Sequence, residues 1–372
     1  MPYQFDSDVN LRIDVAFGVN PLTIPTSTQW TEIGDYVTDI GIARGRTHEL
    51  DEIASGTLTL QLDNRDRRFD PTNTGSPYSP NVKPMVPIRV QAVHSGTTYA
   101  LYSGFAEAWP QMWTEAGLIQ ETQVRAVDGF KLLSYVETGT THAQEKSGAR
   151  VDDYLDEAGW SASARAVSTG KATLAAYVGV CTTILEELQR ITVTENGLFF
   201  MDGAGLPTFQ SSTVRSGGVP GSTFTDTGGL AYTGLQVGYD DVNVWNDITV
   251  QALNVAPQAI DDTGSVDSYG RRKLHIFDTL QPNATGAADL ASALLAKYKD
   301  PVVKVESMTV EARGSTGAWP TVLGAEISDL VRVKRVGQSG SAISEDLYIE
   351  GISHEITAEK TWVTTMVFTP TT

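Results

Sequence analysis

Apolar and polar residues alternate in short runs along much of the chain. Leu11, Ile13, Val15 and Phe17 are separated by Arg12, Asp14 and Ala16. Leu58, Leu60 and Leu62 alternate with Thr57, Thr59 and Gln61, and Ile88, Val90 and Ala92 with Arg89 and Gln91. The same rhythm returns at Ile248, Val250 and Ala252. It returns again at Val303, Val305, Ser307 and Thr309, set against Lys304, Glu306, Met308 and Val310, and at Val331, Val333 and Arg335 against Arg332 and Lys334. A period of two predicts half-buried strands with one wet face. Helical spacing is rarer. It predicts a helix over 151–158 ended by Gly159, a second over 182–191 with Ile184, Leu185, Leu188 and Ile191 on one side, and a third over 287–299 stopped by Asp300-Pro301. After the second helix, Leu198–Met201 and Leu206–Phe209 flank Asp202-Gly203 and read as a hairpin. The expected class is mainly β with an α insertion (α+β).

Two stretches break the rhythm. Residues 211–229 are rich in Ser, Thr and Gly and read as a linker; residues 63–87 hold five prolines among Asp, Asn and Arg. A loop of that length is usually functional or partner-contacting. A faint internal repeat links residues 86–109 with 330–356: a strand, a Ser/Gly turn (His94–Thr98, Gly337–Ser341), then Tyr102-Ser103-Gly104-Phe105 or Tyr348-Ile349-Glu350-Gly351. One more alternating strand follows each, near Gln123–Val127 and Thr364–Phe368. Two similar β modules flanking a helical middle would produce this pattern, as would any two antiparallel hairpins.

Composition narrows the field. The 372 residues imply two to four domains and a core that needs no staples. A single cysteine, Cys181, excludes an internal disulfide framework; beside an apolar helix segment it reads as a packing residue. The net charge is −18, and the stretches 1–150, 151–240 and 241–372 each carry −6, so no part offers a basic surface for specific nucleic-acid binding. The N-terminus lacks the basic start and apolar run of a secretory signal, and no stretch approaches the length of a membrane span, so stable membrane insertion is not expected.

Tests for chemistry fail one by one. His48-Glu49 and His354-Glu355 begin like H-E-x-x-H, but Glu52 and Ala358 stand where the second histidine belongs. The acidic run 261–267 has the wrong spacing for a calcium loop and reads as a solvated turn. Gly337-Gln338-Ser339-Gly340-Ser341 misses the last glycine of a nucleophile elbow, and Arg165 stands where a P-loop ahead of Gly170-Lys171 needs glycine. Trp109, Trp113 and Trp160 could line a sugar cleft; packing at a strand end or interface explains them more simply. No catalytic, cofactor or metal site is expected.

The most distinctive stretch runs over 44–91. Gly56 opens a strand carrying Leu58, Leu60 and Leu62; Asp63, Asn64 and Asp66 are turn formers; Arg65, Arg67, Arg68 and Asp70 alternate in sign and suit bidentate pairing. A proline-studded extended segment then leads into the strand at 88–93 and should lie across a surface, either partner-binding or solvated. The segments Arg44–Asp51 (RGRTHELD), Gly56–Pro71 (GTLTLQLDNRDRRFDP) and Asn73–Val90 resemble minor tail proteins of long-tailed, siphovirus-type phages of actinobacteria. Val127–Leu133, the helix-plus-hairpin segment at 182–210 and the late helix at 287–299 are similar too, so the resemblance covers most of the chain.

That resemblance implies a structural protein of the virion, made in the host cytoplasm and placed at the tail tip: a baseplate hub. Such hubs are trimers in which two antiparallel β-barrel modules per chain build a pseudo-sixfold ring, adapting the sixfold tube to a threefold tip and lining the DNA channel. It implies a first β-barrel module at 1–140, an inserted helix-plus-hairpin domain at 141–225 and a second β module at 226–372. Implied partners are two further copies of the chain, a distal tail protein ring above, the tape measure protein, and a central spike, fibres or other minor tail proteins below. Arg44, Arg46, Asp63, Arg65, Asp66, Arg67, Arg68 and Asp70 are then expected in inter-module or inter-subunit contacts. Two other readings stay open: a hexameric distal tail protein, and a carbohydrate-binding or cell-wall-degrading tail protein.

Overall fold

A computed structural model of the chain describes residues 3–4, 9–114, 119–313, 317–337, 342–357 and 361–371. Most strands join one branched sheet of fifteen strands, in which no closed barrel is found among the described residues. Five antiparallel strands near the N-terminus run, in chain order, Val37–Gly45, Ala54–Asp63, Val86–His94, Thr97–Ala108 and Ile119–Val127. The third pairs with the fourth, the fourth with the fifth, the fifth with the second and the second with the first. Near the C-terminus Gly234–Gly238, Lys304–Val310, Leu330–Arg335, Ile343–Ile356 and Trp362–Pro370 pair in the same order. The outer neighbour of the third strand differs between the halves: Val9–Val15 is antiparallel to Val86–His94, whereas Ser222–Thr225 is parallel to Leu330–Arg335.

The two halves share one core. Leu11, Ile13, Leu58, Leu60, Val90 and Val124 belong to the same buried cluster as Val305, Met308, Val333, Ile349 and Met366. The helix Ala318–Gly324 of the C-terminal half buries Trp319 and Val322 in that cluster, and its last residue, Gly324, lies against the Tyr99 ring of the N-terminal half. A second cluster forms the helical middle. Ser147–Glu157 buries Val151, Tyr154 and Leu155 against Ile184, Leu188 and Ile191 of Ile184–Glu195 and against the hairpin Leu198–Met201/Pro207–Gln210. A third cluster stands apart: the helix Ala284–Tyr298 packs Leu290, Ala291 and Leu294 on Ile248 and Val250 of a three-stranded sheet. No helix of the described residues is long and apolar enough to cross a membrane.

Several sequence expectations need correction. Alternation over 303–310 does not hold one face: Ser307 pairs with Gln236 and Val305 with Val237, which leaves Glu306 as an extra bulge residue. The bulge flips the pleat, so Val305, Met308 and Val310 are buried while Val303 is half exposed. The acidic run at 261–267 is not a plain turn. Asp262 caps the short helix Thr263–Tyr269, its carboxylate accepting the Ser265 amide at 2.9 Å. Cys181 is exposed and left-handed at φ 53°, three residues ahead of the helix Ile184–Glu195, so it does not pack. The linker at 211–229 contributes the strand Ser222–Thr225.

The loop after Asp63 is tightly ordered, for a reason visible in its residues. Backbone bonds close a turn every third residue: the amides of Arg67, Asp70, Asn73, Ser76 and Ser79 donate to the carbonyls of Asn64, Arg67, Asp70, Asn73 and Ser76. Asp63, Asp66, Asp70, Asn73 and Ser76 each accept, through the side chain, the amide two residues ahead. Asn64, fully buried, accepts the Phe69 amide at 2.9 Å and donates to Gln111 at 2.7 Å. The loop then closes one end of the N-terminal core with aromatic rings. Phe69 stacks on Trp109 at 6.0 Å, meets Tyr36 edge-on at 5.6 Å and lies 5.6 Å from Tyr78, which stacks on Phe17. Because Phe69 is wholly buried, Phe69→Ala is expected to cost about 3–5 kcal/mol. Urea unfolding followed by tryptophan fluorescence measures it, and a loss below 1 kcal/mol, by the same ~1 kcal/mol centre of ordinary substitutions, would mean that the loop is not an integral part of the core.

Candidate functional site

The three parts of the chain meet at the end of the strand Val37–Gly45. That strand pairs on one side with Ala54–Asp63 and on the other with the second half of Ile343–Ile356, in the register Gly351↔Gly45 to Ile356↔Ile40. The first half of Ile343–Ile356 pairs with Leu330–Arg335, so this strand serves both halves. The backbones come unusually close where they part. Gly45 has φ 94°, and a Cβ there would lie 2.2 Å from the Glu350 carbonyl oxygen; one on Gly351 would lie 2.7 Å from the Arg46 oxygen.

This approach sets Arg46 on Glu350. The Arg46 amide donates to the Glu350 carbonyl at 2.9 Å, and its Nε donates to the carboxylate at 2.8 Å. From the other side Arg215, out of the linker, donates to the second carboxylate oxygen, to Ser328 Oγ at 3.0 Å and to the Ile349 carbonyl at 3.3 Å, with its guanidinium over the Tyr348 ring. Glu350 is fully buried. Burial alone would raise its carboxyl, but Arg215 and Arg46 outweigh that and hold it below the usual range. One carboxylate thus ties the N-terminal half, the linker and the C-terminal half together.

Arg44 makes a second tie. Its Nη1 donates to Glu326 at 2.6 Å and approaches the Met201 carbonyl at 3.5 Å; the other Glu326 oxygen accepts the Gly203 amide at 2.8 Å. The hairpin turn of the middle part is thereby fixed to both halves. Beside Arg44 lie two buried titratable groups with opposite tendencies. Asp128 accepts the Gly56 and Phe130 amides, yet burial pushes its carboxyl up to about 7 against those bonds and the Arg44 charge. His354 accepts from the Trp362 indole at 3.3 Å and faces Thr364 Oγ1 at 2.9 Å. Burial, with a smaller push from Arg44, lowers it to about 3. An indole N–H can only donate, so His354 Nδ1 is an acceptor and the ring is neutral.

The eight charged residues singled out in the sequence fall into two groups. Arg44 and Arg46 join the halves, as described. The other six pair locally within their loop: Arg65 with Asp63, Arg68 with Asp66 at 2.6 Å, and Arg67 with Asp70 at 2.7 Å. Arg68 also covers the Tyr36 ring at 3.9 Å, while Arg65 projects outward with 70% of its side chain exposed. Trp109 and Trp113 do not form a sugar platform: Trp109 is buried, with its indole donating to the Lys83 carbonyl, whereas Trp113 is exposed. Sequence reasoning missed Glu326, Glu350, Arg215, Asp128 and His354 as members of the junction. The one usable signal was Arg215, the sole charged residue in the otherwise neutral stretch 211–225.

The strand Gly234–Gly238 holds, in the C-terminal half, the place that Val37–Gly45 holds in the N-terminal half. Val37–Gly45 is paired on both sides, but Gly234–Gly238 has a strand partner on one side only among the described residues. No family profile matches the chain, and no curated protein sequence does. Solved structures do. A tail protein from Neisseria meningitidis superposes with a TM-score of 0.65 at 11% identity, covering 96% of each chain. The 43 kDa tail protein of prophage MuSo2 from Shewanella oneidensis gives 0.62 at 15% identity, covering 97% of this chain and 98% of that one. The fold is that of phage tail proteins. It is also similar, at a TM-score of 0.52 and 10% identity over 90% of this chain and 73% of the other, to an Escherichia coli type VI secretion component described as resembling the T4 tail proteins gp27 and gp5.

Removing the Glu350 charge leaves two largely buried guanidinium groups, 13% and 17% exposed, without their counterion. Glu350→Gln is expected to cost about 3–5 kcal/mol and to open the linker around Arg215 to limited proteolysis; unchanged cleavage would show that the tie is dispensable. A second expectation concerns pH. The unfolded chain protonates His354 below about 6.5, and the folded chain only near 3, so its contribution is lost as pH falls from 6.5. Asp128 works the other way, since the folded state keeps its proton up to about 7; its contribution grows as pH falls from 7 to 4. In His354→Gln only the second slope remains. Relative to the parent, the variant should gain up to about 1.4 kcal/mol per pH unit between pH 6.5 and 4. Urea titrations at four pH values test this, and a constant difference between the two proteins would refute it.

Proposed function

We propose that the chain is the hub subunit of a phage tail tip, a non-enzymatic homotrimer whose six β units form a pseudo-sixfold ring around the DNA channel. The observation that carries this reading is the repeated order of five strands, with one edge unmatched among the described residues. Each half offers the same antiparallel unit, and within the chain the edge of the N-terminal unit is taken by Ile343–Ile356. The corresponding edge at Gly234–Gly238 is left for a neighbouring copy, and a head-to-tail contact of that kind closes into a ring. Three chains with two units each then match a sixfold tube above and a threefold tip below. The likeness of fold to phage tail proteins and to a type VI secretion component supports the same reading.

In this arrangement the distal tail protein ring sits above, the tape measure protein ends at the hub, and a central spike, fibres or other minor tail proteins attach below. The outward charges around Arg65 belong to the contact with a neighbouring subunit or ring. The net charge of −18 suits a channel through which DNA slides without adhering. A hexameric distal tail protein needs only one such unit per chain, so the repeated strand order favours the hub. A carbohydrate-binding role loses its main support, because Trp109 and Trp113 face different environments.

Light scattering over a wide concentration range is the direct test. The expected mass is near three chains of 40.1 kDa; six chains would favour the distal tail ring, and a monomer at every concentration would overturn ring closure by this chain alone. Val237 is 40% exposed on the open edge. Val237→Lys should leave the unfolding midpoint unchanged while blocking the trimer, because a lysine on an edge opposes pairing. A trimer that survives the substitution would place the contact elsewhere.

A further inference from the structure

The segment that leads from the N-terminal half into the helical middle is held by three two-residue ladders. Glu137–Thr138 pairs with Thr182–Thr183, Thr141–His142 with Tyr177–Val178, and Glu145–Lys146 with Thr173–Leu174. Ladders this short provide few hydrogen bonds, and the strap they hold passes directly into the helix Ser147–Glu157. His142 lies at the centre of the strap with 4% of its surface exposed, its ring edge-on to Tyr154 at 4.6 Å. Its Nε2 is buried without a hydrogen-bond partner among the described residues. Its Nδ1 points between two carboxylates, 3.5 Å from Glu145 and 3.6 Å from Asp153.

These separations are the informative quantity. A charge-assisted hydrogen bond from an imidazolium would close to about 2.7–2.9 Å. Ligands around a tetrahedral ion with bonds of about 2.0–2.2 Å stand about 3.3–3.6 Å from one another. One nitrogen and two oxygen atoms from these residues lie mutually within 4.8 Å. Glu145 is held through that same oxygen, Oε1, by the wholly buried Arg150, which also donates to the carbonyls of Ala143 and Ala175, and its Oε2 is left for a ligand. Asp153 comes from the helix, and its carboxylate has no ion-pair partner but His142 among the described residues. Its side chain is 54% exposed, which leaves the outer side of the cluster open to a water ligand. Asp152 and Asp156, on the same helix, add negative charge beside Asp153 that Arg165 only partly offsets.

We propose that His142, Glu145 and Asp153 bind one divalent transition-metal ion of the zinc class, with water in the remaining position. An imidazole nitrogen with two carboxylates suits zinc; magnesium and calcium favour all-oxygen sets with more ligands. The ion would pin the strap to the first turns of the helix, adding to three weak ladders a cross-link that depends on metal. Sequence spacing hid this site, because His142 and Glu145 lie on the strap and Asp153 on the helix.

The test uses the full-length chain and zinc chloride alone. Calorimetry is expected to show one zinc ion per chain, and zinc should raise the unfolding temperature by several degrees where magnesium does not. Cobalt in its place should give the visible absorption of a four-coordinate ion. Asp153→Asn, at a half-exposed position, should leave the metal-free unfolding temperature unchanged and weaken zinc binding by about tenfold or more. His142→Gln should abolish the cobalt spectrum. Absence of zinc binding, or binding that Asp153→Asn leaves intact, overturns the proposal. Either result is independent of whether the chain forms the ring, since both are read on the single chain.

Discussion

A buried carboxylate with a guanidinium on each side is the constraint around which this chain is arranged. Glu350 cannot be removed from water alone, and neither can Arg46 or Arg215. Each is stable in its place only when the others have arrived. The three residues belong to the C-terminal half, the N-terminal half and the linker that returns from the helical middle. The backbone follows the same requirement. Gly45 and Gly351 lack side chains where a Cβ would strike the opposite strand, and that close approach brings Arg46 within 2.8 Å of its partner. Arg44 and Glu326 repeat the device one layer away, with the Gly203 amide as a third participant.

The long loop after Asp63 solves a different problem with local means. Five of its polar side chains bend the backbone two residues ahead, and its three arginines pair with acids two or three positions away. The result is a preformed surface tied to the rest of the fold through Asn64, Arg68, Phe69 and Tyr78. Turn formation and charge pairing are satisfied inside the loop, and Arg65, though paired with Asp63, keeps most of its side chain exposed.

Much of this was legible in the residues, for a physical reason. Strands at Val9–Val15, Ala54–Asp63 and Val86–His94 follow from alternation, because one face of each is buried, at Val9 to Val15, Gly56 to Leu62 and Val86 to Ala92. Helices at Ser147–Glu157, Ile184–Glu195 and Ala284–Tyr298 follow from apolar spacing, with ends displaced by a few residues because caps and packing set them. What was not legible depended on partners far away in sequence. The bulge at Glu306 is fixed by its pairing with Gly234–Gly238, not by its neighbours. Arg46 and Glu350 are more than three hundred positions apart, and no local pattern marks one as the counterion of the other. The short helix Ala318–Gly324 is apolar because it covers strands of the opposite half, a surface that local spacing does not reveal.

The strand Ile343–Ile356, shared by both halves, has a consequence for how the protein is made. The outer edge of Val37–Gly45 has its partner only when residues 351–356 have left the ribosome. At roughly 5–20 residues per second, that edge waits on the order of 15–60 s. For that time its amides and carbonyls can template pairing with another nascent chain. Translation speed, and any chaperone that shields the edge until the last strands emerge, therefore bear on how much of the chain folds.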